Sequence, residues 1–132
     1  MSLNFSISEF IKSDIAIKHN INNMPDIQSL DCILDLIVNC LQPLRNALNR
    51  PIIITSGFRS TMVNKLAGGV PTSQHTKGQA ADFYIKGMTV NQIIEFIKNS
   101  TIEYDQLINE YNKWVHISFV KGSNRRQNLK IT

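Results

Sequence analysis

The sequence SQHTKGQAAD, residues Ser73–Asp82, places a histidine seven positions before an aspartate, with a glycine between them. The alternation over Gln79–Ile85 is typical of a β-strand, and it puts Asp82 on one face and apolar side chains on the other. Gly78 permits a tight backbone path between His75 and this strand. The stretch therefore predicts a loop and a strand that bring an imidazole close to a carboxylate.

A second histidine, His116, lies in the apolar run WVHISF at Trp114–Phe119, which also predicts a strand. A carboxylate buried without a partner is costly, so polar residues inside two apolar strands require compensation. Two imidazoles and one carboxylate form a ligand set for zinc that leaves a fourth position open. On the residues alone other interpretations stay open, because each histidine also fits a surface or hydrogen-bonded core position, and Asp82 also fits a turn or an ion pair.

The remaining sequence predicts one α+β domain in which helices pack against a largely antiparallel sheet. Within residues 1–132 we distinguish a helical N-terminal part at 1–50, a metal-site core at 51–120 and a polar tail at 121–132 that is loose or edge-forming. Helices are predicted from capping patterns and helical apolar repeats at Ser6–Lys18, Ile27–Leu48 with a break at Pro43, Thr61–Leu66 and Val90–Lys98. Strands are predicted at Pro51–Thr55, buried on both faces, at Gln79–Ile85, and in a hairpin of Asp105–Tyr111 and Trp114–Val120.

Composition limits the partners and compartments that are expected. The net charge is +4 and the pI about 9.2, but the basic residues form no array with aromatic residues, so no nucleic-acid partner is predicted. No apolar run approaches the roughly 20 residues of a membrane span, and MSLNFSISEF lacks the regions of a signal peptide, so we expect no membrane span and synthesis in the cytoplasm. We also expect a monomer. Cys32 and Cys40 lie about 12 Å apart along one predicted helix and are expected to be free thiols.

Five sequence blocks, in the order TSGFRS, N-x-x-x-G-G, SQHTKGQAAD, DQLINE and WVHISF, resemble the zinc D-Ala-D-Ala carboxypeptidase family. That family also includes vancomycin-resistance dipeptidases, phage L-alanyl-D-glutamate endopeptidases and the hedgehog signalling domain. The resemblance covers roughly Pro51–Phe119 and implies a DD-peptidase/hedgehog-like fold with one zinc ion bound by His75, Asp82 and His116.

The same resemblance implies hydrolysis of peptide bonds in peptidoglycan stem peptides at the bacterial cell wall. The enzyme would be either a D-Ala-D-Ala carboxypeptidase or an endopeptidase, encoded by a phage or a bacterium. The alternative is a zinc-stabilised binding or structural module without catalysis, such as a phage tail component.

The resemblance also implies a catalytic carboxylate, and Glu110 is the candidate. Several family members carry the pattern E-x-x-H, whereas here six positions separate Glu110 from His116, so the hairpin register decides its orientation. A three-residue loop, Tyr111–Lys113, pairs Glu110 with Trp114 and puts Glu110 on the face of His116. A two-residue loop would instead put Asn109 opposite His116 and leave Glu110 as a solvated hairpin carboxylate.

Arg59, in SGFRS, matches the family arginine that is expected to hold a substrate carboxylate or to stabilise the oxyanion. A guanidinium suits both roles because its donors are fixed and charged, although an arginine that ties the turn together is the structural alternative. Ser73 and Gln74 are expected to contact substrate or to orient the ligand imidazole. Trp114 and Tyr84 are expected to line the substrate pocket, and Trp114 fits a core position equally well.

Overall fold

The computed structural model describes residues 3–132, and Met1 and Ser2, where the expected N-terminal part begins, lie outside the described residues. The helices are α1 (Ile7–Ile11), α2 (Asp14–Lys18), α3 (Ile27–Leu36), α4 (Gln42–Leu48), α5 (Thr61–Leu66) and α6 (Val90–Lys98). The strands are β1 (Ile53–Ser56), β2 (Ala80–Tyr84), β3 (Gln106–Glu110), β4 (Trp114–Ser118) and β5 (Gln127–Ile131). A π-helical turn at Ile37–Leu41 joins α3 to α4, and a 3-10 turn at Gln74–Lys77 precedes β2.

The strands form one five-stranded sheet in the order β1-β2-β4-β3-β5. All neighbouring strands are antiparallel except β3 and β5, which are parallel. One face of the sheet is apolar and packs against the helices, with the core side chains Ala81, Phe83, Leu107, Val115 and Ile117. The expected α+β class with a largely antiparallel sheet is confirmed.

The helices α3 and α4 and the π-helical turn between them form one continuous helix, Ile27–Leu48. The break expected at Pro43 takes the form of that turn, which ends just before the proline, because proline cannot donate the backbone hydrogen bond of a regular helix. By length and composition this is the one helix of residues 3–132 that could cross a membrane, and 44% of its most apolar window is buried. The side of the helix that faces the core carries six side chains, each with at most 1% of its surface exposed: Ile33, Leu36, Ile37, Cys40, Leu41 and Leu44.

Both cysteines of this helix are free thiols in the described chain, as expected. Cys40 is buried, and its Sγ donates to the backbone carbonyl of Glu103 at 3.0 Å. Burial raises the pKa of the Cys40 thiol, so the group is neutral at physiological pH.

The N-terminal helix predicted over Ser6–Lys18 is wrong as one element, because the chain forms α1 and α2 with a break between them. The capping box of Ser6 and Glu9 is present and opens α1. Ser13 then interrupts the helix, since its Oγ accepts a hydrogen bond from the backbone N–H of Ala16 and starts α2.

At one edge of the sheet the structure contradicts the sequence-based expectation, and at the other edge it makes the expectation more specific. The strand predicted at Pro51–Thr55 to be buried on both faces is an edge strand, β1, and Ile53 is 37% exposed. Five β-branched and apolar residues in a row therefore indicated the strand correctly but not its place in the sheet. The tail, expected to be loose or edge-forming, contains β5 and covers the other edge along β3.

Gly78 lets the 3-10 turn that carries His75 lie directly against α3. Its φ of +75° is in the left-handed region, where glycine has no Cβ penalty. A Cβ at this position would also collide with the backbone carbonyl of Ser29 in α3. The glycine is therefore required by its backbone conformation and by the close approach of α3.

We expect Gly78→Ala to lower the free energy of unfolding by about 3 kcal/mol, the sum of left-handed strain and a backbone collision. The matched control is Gly68→Ala, at φ +79°, where a Cβ would meet no described atom within 4 Å. That control should lose only about 1 kcal/mol. Urea unfolding of the metal-free protein measures both, and equal losses would contradict the close packing of the His75 turn on α3.

Candidate metal centre

Two neighbouring strands and one turn bring His75, Asp82 and His116 together. Asp82 in β2 lies directly opposite His116 in β4, so the two side chains share one face of the sheet. His75 comes from the 3-10 turn before β2. The candidate ligand atoms of the three residues all lie within 4.8 Å of one another, and all three residues are buried.

The two imidazoles point at the same carboxylate oxygen. Nε2 of His75 lies 3.3 Å and Nδ1 of His116 3.0 Å from Oδ1 of Asp82. Nδ1 of His75 lies 2.7 Å from the carbonyl oxygen of Gly57, which can only accept, so this nitrogen carries the proton. Nε2 of His75 is then the ring nitrogen with the free lone pair, and it faces Asp82. A backbone carbonyl that fixes the tautomer in this way is typical of a metal-ligating histidine.

The carboxyl of Asp82 stays ionised despite its burial. Burial by itself would raise its pKa, but the hydrogen bond with His116 and the neighbouring imidazole of His75 outweigh this effect and hold the pKa of Asp82 well below its usual range. Nη2 of Arg59 adds a positive charge 3.6 Å from Oδ2. Two imidazole nitrogens and one ionised carboxylate oxygen, buried and convergent, fit the donor chemistry of zinc.

Glu110 lies beside this ligand set. The β3–β4 hairpin has the three-residue loop Tyr111–Lys113, with Glu110 opposite Trp114. The alternative two-residue loop is wrong, because Ile108, not Asn109, lies opposite His116. Oε1 of Glu110 is 3.4 Å from Nδ1 of His116.

The pKa of Glu110 is raised from its usual value, first by burial and then by the negative charge of Asp82. Its side chain keeps 18% of its surface exposed. A carboxylate with a raised pKa that is open to solvent and close to a ligand set can take up and release a proton.

Arg59 is fixed by the loop that follows β1. Its Nε donates to Oγ of Ser56 at 3.1 Å and its Nη1 to Oδ1 of Asn64 at 3.5 Å. Its backbone N–H donates to the carbonyl oxygen of His75 at 3.0 Å, which ties the arginine loop to the ligand turn. The guanidinium is thus aimed at Asp82 and one-fifth exposed.

A family model described as Peptidase M15 matches residues 3–118. The chain belongs to the Peptidase M15 family. This confirms the resemblance to the zinc D-Ala-D-Ala carboxypeptidase type, and membership indicates a metallopeptidase that acts on a peptide substrate. Comparison with curated proteins finds no match.

The other predicted site residues of this Peptidase M15 chain divide into two pairs. Ser73 accepts a hydrogen bond at Oγ from the backbone N–H of His75, and Gln74 donates from Nε2 to Oδ2 of Asp105. The hydroxyl of Ser73 and the amide nitrogen of Gln74 are thus engaged within the protein, whereas the buried Oε1 of Gln74 has no hydrogen-bond partner among the described residues. Tyr84 is 40% exposed and Trp114 half-buried, and the strand register continues so that they lie side by side on the face of the ligands.

Several residues that support the M15 site received no role from the sequence. Asn23 is buried, donates to the carbonyls of Ile11 and Phe58 and accepts from the N–H of Ser60, so it holds the arginine loop in place. It lies in the turn-rich link INNMP, which also resembles members of the family, but its partners do not follow from the sequence. Asn64 and Asp105 begin the blocks N-x-x-x-G-G and DQLINE. The sequence motifs therefore marked both residues, but they did not indicate what either residue does.

We expect His116→Ala to lower the zinc affinity of the protein by more than about 100-fold, because one of three ligands is lost and Asp82 loses a partner. The matched control is His19→Ala, since His19 is the third histidine of the chain, is exposed and lies outside the ligand cluster. Metal content after dialysis and chelator competition measure both. Unchanged zinc binding by the His116 variant would refute the ligand set.

Proposed function

We propose that this chain is a zinc metallopeptidase that hydrolyses peptide bonds in peptidoglycan stem peptides, as a D-Ala-D-Ala carboxypeptidase or an endopeptidase. The observation that carries the proposal is the convergence of a carboxylate and a guanidinium on one buried ligand set. Glu110 lies 3.4 Å from His116, and Arg59 lies 3.6 Å from Asp82. A metal site that only stabilised the fold would need neither group.

In this proposal His75, Asp82 and His116 hold one zinc ion through Nε2, a carboxylate oxygen and Nδ1. When bound, the metal supplies Lewis acidity towards the scissile carbonyl and a water whose pKa is lowered to about 7. The hydrogen bond from Nδ1 of His75 to Gly57 fixes the orientation of the ring and directs Nε2 towards Asp82.

Glu110 is proposed as the general base and then the general acid. Its Oε1 accepts a proton from the attacking water and returns that proton to the leaving amine. Partial burial and the neighbouring negative charge of Asp82 raise the pKa of Glu110, which makes the carboxylate a better base than a solvated one.

Arg59 is proposed to bind the negative charge of the substrate. Its fixed position between Ser56 and Asn64 leaves the guanidinium pre-organised, so little side-chain entropy is lost when it binds a carboxylate or a developing oxyanion. A terminal carboxylate at this point suits a carboxypeptidase, and the oxyanion role suits either enzyme.

Tyr84 and Trp114 are proposed to form a wall of the substrate path. They share the open face of the sheet with the ligands, and the Tyr111 ring packs against that of Trp114 with centroids 5.7 Å apart. Ser73 and Gln74 are proposed to orient the His75 turn, because Oγ of Ser73 and Nε2 of Gln74 both bond within the protein.

The test is incubation of the zinc-loaded protein with purified muropeptides and with intact sacculi, followed by mass spectrometry. We expect wild type to release either a terminal D-alanine or an internal stem-peptide fragment, which also separates the two reaction types. Glu110→Gln should lower kcat by about 10²–10⁴-fold with zinc retained, since only proton transfer is removed. Zinc binding by wild type without any product would leave the non-catalytic module as the function.

We expect Arg59→Ala to lower kcat/KM by about 100-fold while the zinc content stays near that of wild type, because the guanidinium touches substrate charge rather than the metal. Arg59→Lys keeps the charge but not the paired donors and should recover only part of the activity. Steady-state kinetics with metal analysis measure both variants. Loss of zinc from the alanine variant would assign Arg59 a structural role instead.

A further inference from the structure

A second buried carboxylate, Asp105, lies at the start of β3 and outside the ligand cluster. Its side chain is 2% exposed. Its Oδ1 accepts from the backbone N–H of Arg125 at 3.0 Å and from Nε at 2.9 Å. Its Oδ2 accepts from Nη2 of Arg125 at 2.8 Å and from Nε2 of Gln74 at 2.8 Å. The hydrogen bonds from Arg125, against the effect of burial, lower the pKa of Asp105 to about 2.

These contacts join two segments that are remote in sequence. Gln74 directly precedes His75 and opens the 3-10 turn, and its carbonyl oxygen accepts from the N–H of Gln79 at the end of that turn. Arg125 belongs to the C-terminal segment 119–132, which lies beyond the part of the chain that matches the family model. One carboxylate thus bridges the ligand turn and the C-terminal segment.

We infer that Asp105 and Arg125 are positioning residues that hold the His75 turn, through Gln74, in the geometry required for metal binding. The bidentate contact from Arg125 fixes the carboxylate plane, and Oδ2 then has a defined direction for the amide of Gln74. A fixed Gln74 limits the rotation of the turn and hence the direction of Nε2 of His75. Partners that orient a ligand in this way commonly change metal affinity by about 10–100-fold.

Backbone hydrogen bonds connect the segment 119–132 to both ends of β3. The N–H of Gln127 donates to the carbonyl of Asp105, and the carbonyl of Ile131 accepts from the N–H of Tyr111 in the hairpin after Glu110. The segment therefore braces both the His75 turn and the strand that carries the proposed base.

Arg126 offers a matched control in the same segment. It makes separate contacts, because its guanidinium donates to the carbonyls of Lys98, the last residue of α6, and of Ser100 and Ile102, and lies 4.8 Å from the centre of the Tyr104 ring. It is the neighbour of Arg125 but makes no described hydrogen bond to Asp105 or Gln74.

The inference rests on the proposed function, since it requires His75 to bind metal. The zinc dissociation constant is measured by competition with a chromophoric chelator for wild type and for Gln74→Ala, Arg125→Ala, Arg125→Lys and Arg126→Gln. We expect the Gln74 and Arg125→Ala variants to bind zinc about 10–100-fold more weakly, with partial recovery in Arg125→Lys. Arg126→Gln should bind as wild type does, because the pairing of β5 with β3 and the contacts of Arg125 still hold the segment.

Urea unfolding of each metal-free variant separates positioning from general stability. Gln74→Ala leaves the pair of Asp105 and Arg125 intact, so it tests the link even if the arginine variants fold poorly. Wild-type affinity in Gln74→Ala, or equal weakening in Arg126→Gln, would overturn the inference and leave the proposed function standing. Failure of wild type itself to bind zinc would overturn both.

Discussion

The antiparallel pairing of β2 with β4 is the constraint on which the site depends. It sets Asp82 directly opposite His116, and a shift of one residue would turn one of them into the apolar core. The same register packs Ala81, Phe83, Val115 and Ile117 against the helices. The hydrophobic core therefore selects the register that assembles the ligands, and burial of a charged carboxylate is tolerated because two imidazoles accompany it.

Cross-strand rows organise the open face of the sheet. One row contains Ser56, Asp82, His116, Ile108 and Leu129, and the next contains Ile53, Tyr84, Trp114, Glu110 and Ile131. The first row places Asp82 next to His116, and Ser56 in the same row accepts a hydrogen bond from Arg59. The second row is largely apolar and exposed, with one carboxylate in it. A row of candidate ligands beside a largely apolar row with a single carboxylate suits a peptide substrate, whose backbone can reach the candidate ligands while its side chains pack on the apolar surface.

Sequence reasoning reached the family and the fold class and brought His75, Asp82 and His116 together as candidate ligands, because strand alternation and motif spacing are local signals. It left the position of Glu110 undecided, since that depended on the length of one loop, in which Tyr111 and Asn112 both adopt positive φ. It missed the break at Ser13 because a serine that caps a helix and one inside it look alike before the fold is known. It assigned no role to Asn23 or Asp105, whose partners are 35 and 20 positions away, because such contacts follow only from the fold.

The parallel pairing of β5 with β3 has a consequence for how the molecule is made. Antiparallel neighbours can be joined by a short hairpin, whereas β5 can add to β3 only after the chain has turned back through Arg125 and Arg126. During synthesis the ligands are all present well before residues 127–131 leave the ribosome. Until then the edge of β3 next to Glu110 exposes unpaired backbone groups of the kind that recruit foreign strands. The pairing of β5 thus covers this edge of the sheet against aggregation.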